Sequence, residues 1–361
     1  MRTRYRTTMA AFAVTALALA ACGEGGDTEA ATEGGDADGE ATGDPVSLEF
    51  AHYYAEGPEV AGEARLAEEI TDRSDGEIDV TVHWAEALGG PTELPELVAQ
   101  NAVDMGIVAT HFLPDPFPFY RLQATSLWAT DAEDDLFRQA EIQEEVFSME
   151  PFERELAEEH NQLALLHQPL AVYYLIGQQP GCTLDDLEGA RVRSLGTDYP
   201  RMLEEVGASP VSLTTGEMYE ALDRGTVDYV SIPMQHMLAY DLHEVADYAC
   251  GPIFIFGNGH TTTINLDVWE SLSDDQQQLI EETAAETQEW FIDHAVEQEE
   301  SYQEELEGHG VEFAAFDEDD FEEWQDRSPD FLAEWLEELE QSGMGDEAQP
   351  VYDEMRDIVG E

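Results

Sequence analysis

The chain has 361 residues, of which 82 are Asp or Glu and 14 are Arg, with no lysine, for a formal charge of −68 at pH 7. So acidic a surface repels phosphates and excludes nucleic acid as a partner. The roughly 315 residues that follow the polar N-terminal region are long for one core and suit two lobes.

In chain order, Arg2, Arg4 and Arg6 precede an apolar stretch from Met9 to Ala21. The stretch is too short for a comfortable membrane span, so residues 1–21 read as a secretory signal peptide. It closes on Leu19-Ala20-Ala21-Cys22, a pattern similar to a bacterial lipobox, which makes Cys22 the expected lipidation site and the outer face of the cell membrane the expected location. Loss of the three leader arginines leaves 11 − 82 = −71. Self-repulsion at that density must be screened, which fits a halophilic adaptation to salty surroundings. The melting temperature is expected to rise from dilute buffer to molar sodium chloride; a flat curve would show that the carboxylates are too well spaced to repel. Residues 22–45 hold Gly, Glu, Asp, Ala and Thr without aromatic residues or periodicity and read as a flexible acidic tether. Asp36, Asp38, Gly39 and Glu40 lack the spacing of a calcium loop, and no metal or cofactor is expected. No other segment is apolar enough to cross a bilayer.

From Val46 the pattern predicts a strand to His52, a helix from Glu59 to Arg73, a strand from Ile78 to Trp84, a helix from Glu93 to Asn101 and a strand from Met105 to Ala109. Helical sequence from Asp134 to Glu159 follows. The same rhythm returns as a strand over Arg191–Leu195, a helix over Pro200–Val206, a strand over Pro210–Leu213, a helix over Thr215–Arg224 and a strand over Val227–Ile232. Thr214 and Glu217 have capping-box spacing, and Gly225 is a natural stop. Two such units predict two parallel α/β lobes whose strand ends face a cleft, where small ligands bind. An acidic helix over Ser273–Leu306 is placed to brace both lobes, and Trp324, Phe331, Leu332, Trp335 and Leu336 mark shorter amphipathic helices packed outside.

Enzyme motifs are missing. His243-Glu244 is followed by Asp247 where a zinc helix needs its second His, no GxSxG elbow occurs, and Gly257-Asn258-Gly259 lacks the third glycine of a dinucleotide fingerprint. Among 82 acids, carboxylate pairs arise by chance. Cys182 and Cys250 lie outside any CxxC motif, and an exported pair is expected to be bridged. The informative cations are Arg191 and Arg193, which alternate to the same face of a strand. A chain this poor in cations turns one inward only for a reason.

Asp185-Asp186-Leu187-Glu188-Gly189-Ala190-Arg191-Val192-Arg193, then Gly207-Ala208-Ser209-Pro210-Val211, then Glu217-Met218-Tyr219-Glu220-Ala221-Leu222-Asp223-Arg224-Gly225-Thr226-Val227-Asp228, in this order and spacing, resemble the extracytoplasmic solute-binding proteins of TRAP transporters. Leu88-Gly89-Gly90 and Val103-Asp104-Met105-Gly106 extend the resemblance, which runs from Val46 to about Leu306. It implies an α/β, two-lobed periplasmic-binding-protein-like fold with a long connecting helix. The expected lobes are residues 46–170 with 259–297, and 171–258 with 298–361. It also implies a non-enzyme that captures a small organic carboxylate by lobe closure and delivers it to the membrane permease subunits. A ligand-sensing lipoprotein for the same solutes is the alternative, and a lipoprotein enzyme a remoter one.

In that family an arginine on the strand after the DLKG-like turn pairs with the substrate carboxylate, and Arg193 is its counterpart; a planar guanidinium holds a carboxylate through two bonds. Elsewhere the chain departs from the family. The second family arginine falls on Tyr173, the asparagine before Pro233 is Ile232, the aromatic three residues before Met218 is Thr215, and Tyr53 stands where sialic-acid binders have asparagine. The implied pocket is therefore apolar and aromatic, suited to a monocarboxylate with an apolar or aromatic part. Tyr53, Tyr54, Trp84, Tyr173 and Tyr229 are its expected walls, and Thr110, His111, Thr215 and Gln235 its polar contacts.

Overall fold

The computed structural model describes residues 45–129, 132–169, 172–194, 196–255 and 259–359. The expected leader, Cys22, the tether to residue 44, and Leu195 lie outside them. Of the first run, strands β1 (Val46–Ala51), β2 (Ile78–His83) and β3 (Met105–Val108) are parallel. The helix Ala61–Arg73 covers them because Leu66 and Ile70, one turn apart, are buried in the same core as Leu48 and Phe50. Of the second run, β7 (Arg191–Ser194), β8 (Ser209–Ser212) and β9 (Tyr229–Ile232) are parallel, with Val192 beside both Pro210 and Tyr229. The capping box forms, with Thr214 N–H donating to Glu217 at 2.9 Å. Gly225 ends that helix at φ 62°, a left-handed conformation that suits glycine.

The sheets are mixed rather than parallel throughout. β5 (Gln162–Gln168) and β11 (His260–Asn265) complete a five-stranded sheet in the order β2-β1-β3-β11-β5, with β11 antiparallel to both neighbours. In the second sheet, β6 (Tyr173–Gly177) runs antiparallel to β9, β10 (Tyr248–Ile255) antiparallel to β6, and β12 (Glu312–Ala314) parallel to β10. A short β4 (Leu127–Trp128) pairs with β10. All six residues of β11 are buried, so its sequence His-Thr-Thr-Thr-Ile-Asn shows no inside–outside alternation to mark it as a strand. In chain order the strands change sheet after β3, β4, β5, β10 and β11.

One helix, Asp274–His309, reaches both cores: Ile280 and Ala284 belong to the first, Leu306 to the second. Ser273 caps its start through a capping box with Gln276, and Gly310 ends it at φ 100°. The helices Phe331–Gln341 and Gly345–Val359 depart from the expected allotment of residues 298–361 to the second lobe. Their Leu332, Trp335, Leu339, Val351 and Met355 share a core with Val108, Phe117, Tyr120 and Phe152. An amphipathic pattern shows that a helix packs, not which sheet it packs on. Among the described residues no helix is long and apolar enough to cross a membrane.

Cys182 and Cys250 are bonded, with Cα atoms 5.5 Å apart and a sequence separation of 68. Thiol labelling of the unfolded, non-reduced protein is expected to find neither sulfur free, and labelling of both would refute the bridge.

Candidate functional site

The ends of β1 and β7 define the site. Arg193 is 4% exposed on β7, between β9 and the edge strand β8, where its Nε donates to Leu213 O at 3.3 Å and its Nη1 to Ser231 O at 2.9 Å. These carbonyls belong to the chain just beyond β8 and to β9, so the strands aim the guanidinium but leave its charge uncompensated. The remaining arginines differ. The described residues contain eleven, the 14 of the chain less Arg2, Arg4 and Arg6. Arg65, Arg73, Arg121, Arg138, Arg154, Arg191, Arg201, Arg224, Arg327 and Arg356 each stand within ion-pair distance of a carboxylate. Arg191, on the same face of the strand, is exposed and bonded to Asp228 at 2.8 and 3.0 Å. Among the described residues Arg193 is thus the one arginine without an acidic partner. Burial lowers its pKa, and the phenols of Tyr173, Tyr199 and Tyr240 act in the opposite direction.

Tyr173 opens β6, which is antiparallel to β9, and so lies at the same end of the sheet as Ile232; its ring stacks on Phe254 at 5.2 Å. Ile232 is buried directly after Ser231. Thr215 is exposed on the turn two residues beyond Leu213. Tyr229 does not belong with them. It begins β9, at the far end of that strand, where its hydroxyl donates to Pro180 O at 2.9 Å and its ring packs on Gly177 and Gly181. It is a support for the loop before Cys182, not a cleft wall. Gln235 turns toward the long helix, beside Phe291, His294 and Tyr302. Tyr199 and Tyr240, near Arg193, escaped the sequence reading; Tyr199 sits in the helix Asp198–Glu205 after β7, and Tyr240 directly follows the helix Met234–Ala239 after β9.

Across from Arg193, β1 leads into His52, Tyr53 and Tyr54. The two tyrosine rings are 4.4 Å apart, and the His52 ring lies 5.1 Å from Trp84. Burial raises the pKa of Tyr54, and Glu59, Tyr173 and Tyr240 raise it further, so this phenol senses both sheets. His236 Nε2 lies 2.7 Å from Glu59 Oε1, a contact that links the helix after β9 to the turn after β1. Thr110 is fully buried and donates to Tyr120 O at 2.9 Å, so its hydroxyl already has a partner. His111 is pulled down to about 3 by burial, then by His260, and is neutral. Thr110 and His111 also border a cavity of about 300 Å³ that contains Arg121 and Arg201. Those cations are committed to Glu338 and to Glu334, the latter at 2.7 Å, so that cavity does not select an anion.

His52, Glu63 and His260 form a buried cluster whose ligand-type atoms lie within 4.8 Å of one another. Burial pushes the Glu63 carboxyl up, but the two imidazoles outweigh that and hold it below the usual range. His52 Nδ1 accepts from Tyr54 N–H at 3.0 Å, which leaves the proton of the neutral ring on Nε2. That nitrogen has no lone pair for a metal, so the cluster fits a hydrogen-bonded ionic network.

The family model for bacterial extracellular solute-binding proteins, family 7, matches residues 50–338. A solute-binding protein of Chromohalobacter salexigens is 25% identical over 232 residues, covering 61% of this chain and 64% of its own length. The chain therefore matches just under two thirds of that relative. A TRAP periplasmic solute-binding protein of Desulfovibrio salexigens superposes with a TM-score of 0.76 at 19% identity, over 87% of this chain and 96% of its own. A TRAP solute-binding protein of Rhodoferax ferrireducens in complex with benzoate gives 0.69 at 18%, over 87% and 97%. At those identities the superpositions show the fold.

Proposed function

The chain belongs to the bacterial extracellular solute-binding proteins of family 7, the solute-binding proteins of TRAP transporters, and from that premise we propose that it captures a small monocarboxylate with an apolar or aromatic part on Arg193. The observation that carries this reading is the unneutralised Arg193 in a chain where every other described arginine stands within ion-pair distance of an acid. A buried cation held only by carbonyls has its charge unmatched until an anion arrives, and a carboxylate can take two parallel bonds from it. Tyr53, Tyr54 and Tyr173 supply aromatic surface around that point, which favours a ring or chain over a polyhydroxylated body. The benzoate held by the Rhodoferax protein is a ligand of this kind.

Binding needs no bond-breaking step. The carboxylate joins the second sheet, the ligand body packs against the tyrosines of the first, and the difference in contacts between open and closed arrangements drives closure. The closed form then docks on a membrane permease, while Cys22 lipidation holds the protein at the cell surface. A thermal-shift screen of organic acids, neutral sugars and amines tests the reading. A cognate acid at a hundred times its Kd stabilises by about 2.7 kcal/mol. Melting shifts from sugars or amines with none from any carboxylate would overturn it.

A further inference from the structure

Five buried polar atoms on the first-sheet side of the cleft have no hydrogen-bond partner: His52 Nε2, Tyr53 Oη, Glu63 Oε2, His111 Nδ1 and His260 Nδ1. They belong to one cluster. The His52 ring lies 5.3 Å from Tyr53 and 5.6 Å from His260, Glu63 Oε1 accepts from His260 Nε2, and His111 lies within electrostatic reach of His260. Nineteen such atoms occur among the described residues, and the gathering of five of them in one cluster makes it the place where a single bound group would satisfy several at once.

What that something must offer follows from the atoms. His52 Nε2 carries a proton, because Nδ1 already accepts from Tyr54 N–H, so it is a donor. Glu63 Oε1 is engaged by His260, and Oε2 remains an acceptor. The Nε2 of His52 is 3.7 Å from Glu63 Oε1, too far for a hydrogen bond between them. A donor beside a carboxylate oxygen complements a hydroxyl group, which gives one hydrogen bond and takes another; an ammonium can only give.

Ring contacts carry the cluster toward the carboxylate site, His52 on Tyr53 at 5.3 Å and Tyr53 on Tyr54 at 4.4 Å. Glu63 acts on the Tyr53 phenol, Tyr53 and Tyr54 are in ring contact, Tyr54 senses Tyr173 and Tyr240, and both of those act on Arg193. We infer that Glu63 and His52 form a second anchor: the captured acid carries a hydroxyl remote from its carboxyl group, donating to Glu63 Oε2 and accepting from His52 Nε2. The body between the two groups lies along Tyr53 and Tyr54. This assignment rests on Arg193 holding the carboxylate.

Calorimetry with acids that differ only by a terminal or ring hydroxyl tests it: phenylacetate against its 3- and 4-hydroxy forms, and butanoate and pentanoate against their ω-hydroxy forms. In at least one pair the wild type should bind the hydroxylated acid tenfold or more tightly, since a buried donor and acceptor are left unpaired by the parent. Glu63→Gln should reduce that ratio to threefold or less. Should Glu63→Gln fail to fold, the wild-type ratios decide alone. Parent and hydroxylated acids of equal affinity in every pair would overturn the second anchor while leaving Arg193 standing. Absence of binding by every acid would bring down the carboxylate reading, and the anchor with it. A rise in melting temperature with zinc chloride alone would reassign the cluster to a metal.

Discussion

Arg193→Ala is expected to weaken binding of the acid found by thermal shift by about 2–5 kcal/mol, or roughly thirty- to several-thousand-fold, measured by calorimetry. The size follows from the setting. The guanidinium is 4% exposed, so its bond to a carboxylate forms away from competing water. Every other described arginine stands within ion-pair distance of an acid, so no neighbouring cation is free to take over. Arg193→Lys should recover little, because an ammonium is a point charge that cannot match both carboxylate oxygens and also reach Leu213 O and Ser231 O. Circular dichroism must confirm that the alanine variant folds, since the substitution leaves those two carbonyls without their donor. A folded Arg193→Ala protein that binds within threefold of the wild type would falsify the assignment.

The largest expected effect on stability involves Glu299, on the long helix. Its side chain is almost wholly buried beside a cavity of about 360 Å³, its Oε2 has no partner, and burial pushes its pKa up to about 8. Below pH 4.5 folded and unfolded chains both carry the proton. Between 4.5 and about 8 the unfolded chain ionises while the native one does not, so unfolding releases a proton and stability falls as pH rises. The shift corresponds to roughly 3–5 kcal/mol lost across that interval. Glu155 contributes in the same direction: burial raises it to about 7, against the bonds it accepts from Phe119 N–H and Tyr120 N–H. Glu299→Gln keeps the shape and removes the titration. Its advantage over wild type in urea denaturation should be small at pH 5 and several kcal/mol at pH 8.5. An equal difference at both values would mean that Glu299 is ionised in the native state.

The two parallel runs were legible because glycines and caps punctuate them: Gly207 and Gly225 adopt positive φ directly after the helices expected over Pro200–Val206 and Thr215–Arg224. The antiparallel strands were not. β11 is buried on both faces, and β6 is a short apolar run, Tyr-Tyr-Leu-Ile-Gly, that periodicity cannot distinguish from buried helix. Tyr229 was misplaced because sharing a strand with Ile232 says nothing about which end faces the cleft; the direction of β9 relative to β6 decides that. The Glu63–His260 contact joins residues 197 apart, and no local pattern announces it. Arg193 was the opposite case: the scarcity of cations drew attention to Arg191 and Arg193 together, and the family resemblance chose between them.

The long helix, rooted in one core at Ile280 and in the other at Leu306, has a consequence for how the molecule comes apart. Thirty-six residues share one unbroken ladder of backbone bonds, and a helix loses much of its support when the packing of either half is lost. Neither sheet can therefore melt alone without fraying the strut that steadies the other. Two bodies with separate interiors are thereby coupled into one cooperative transition, so that stabilising either one protects both.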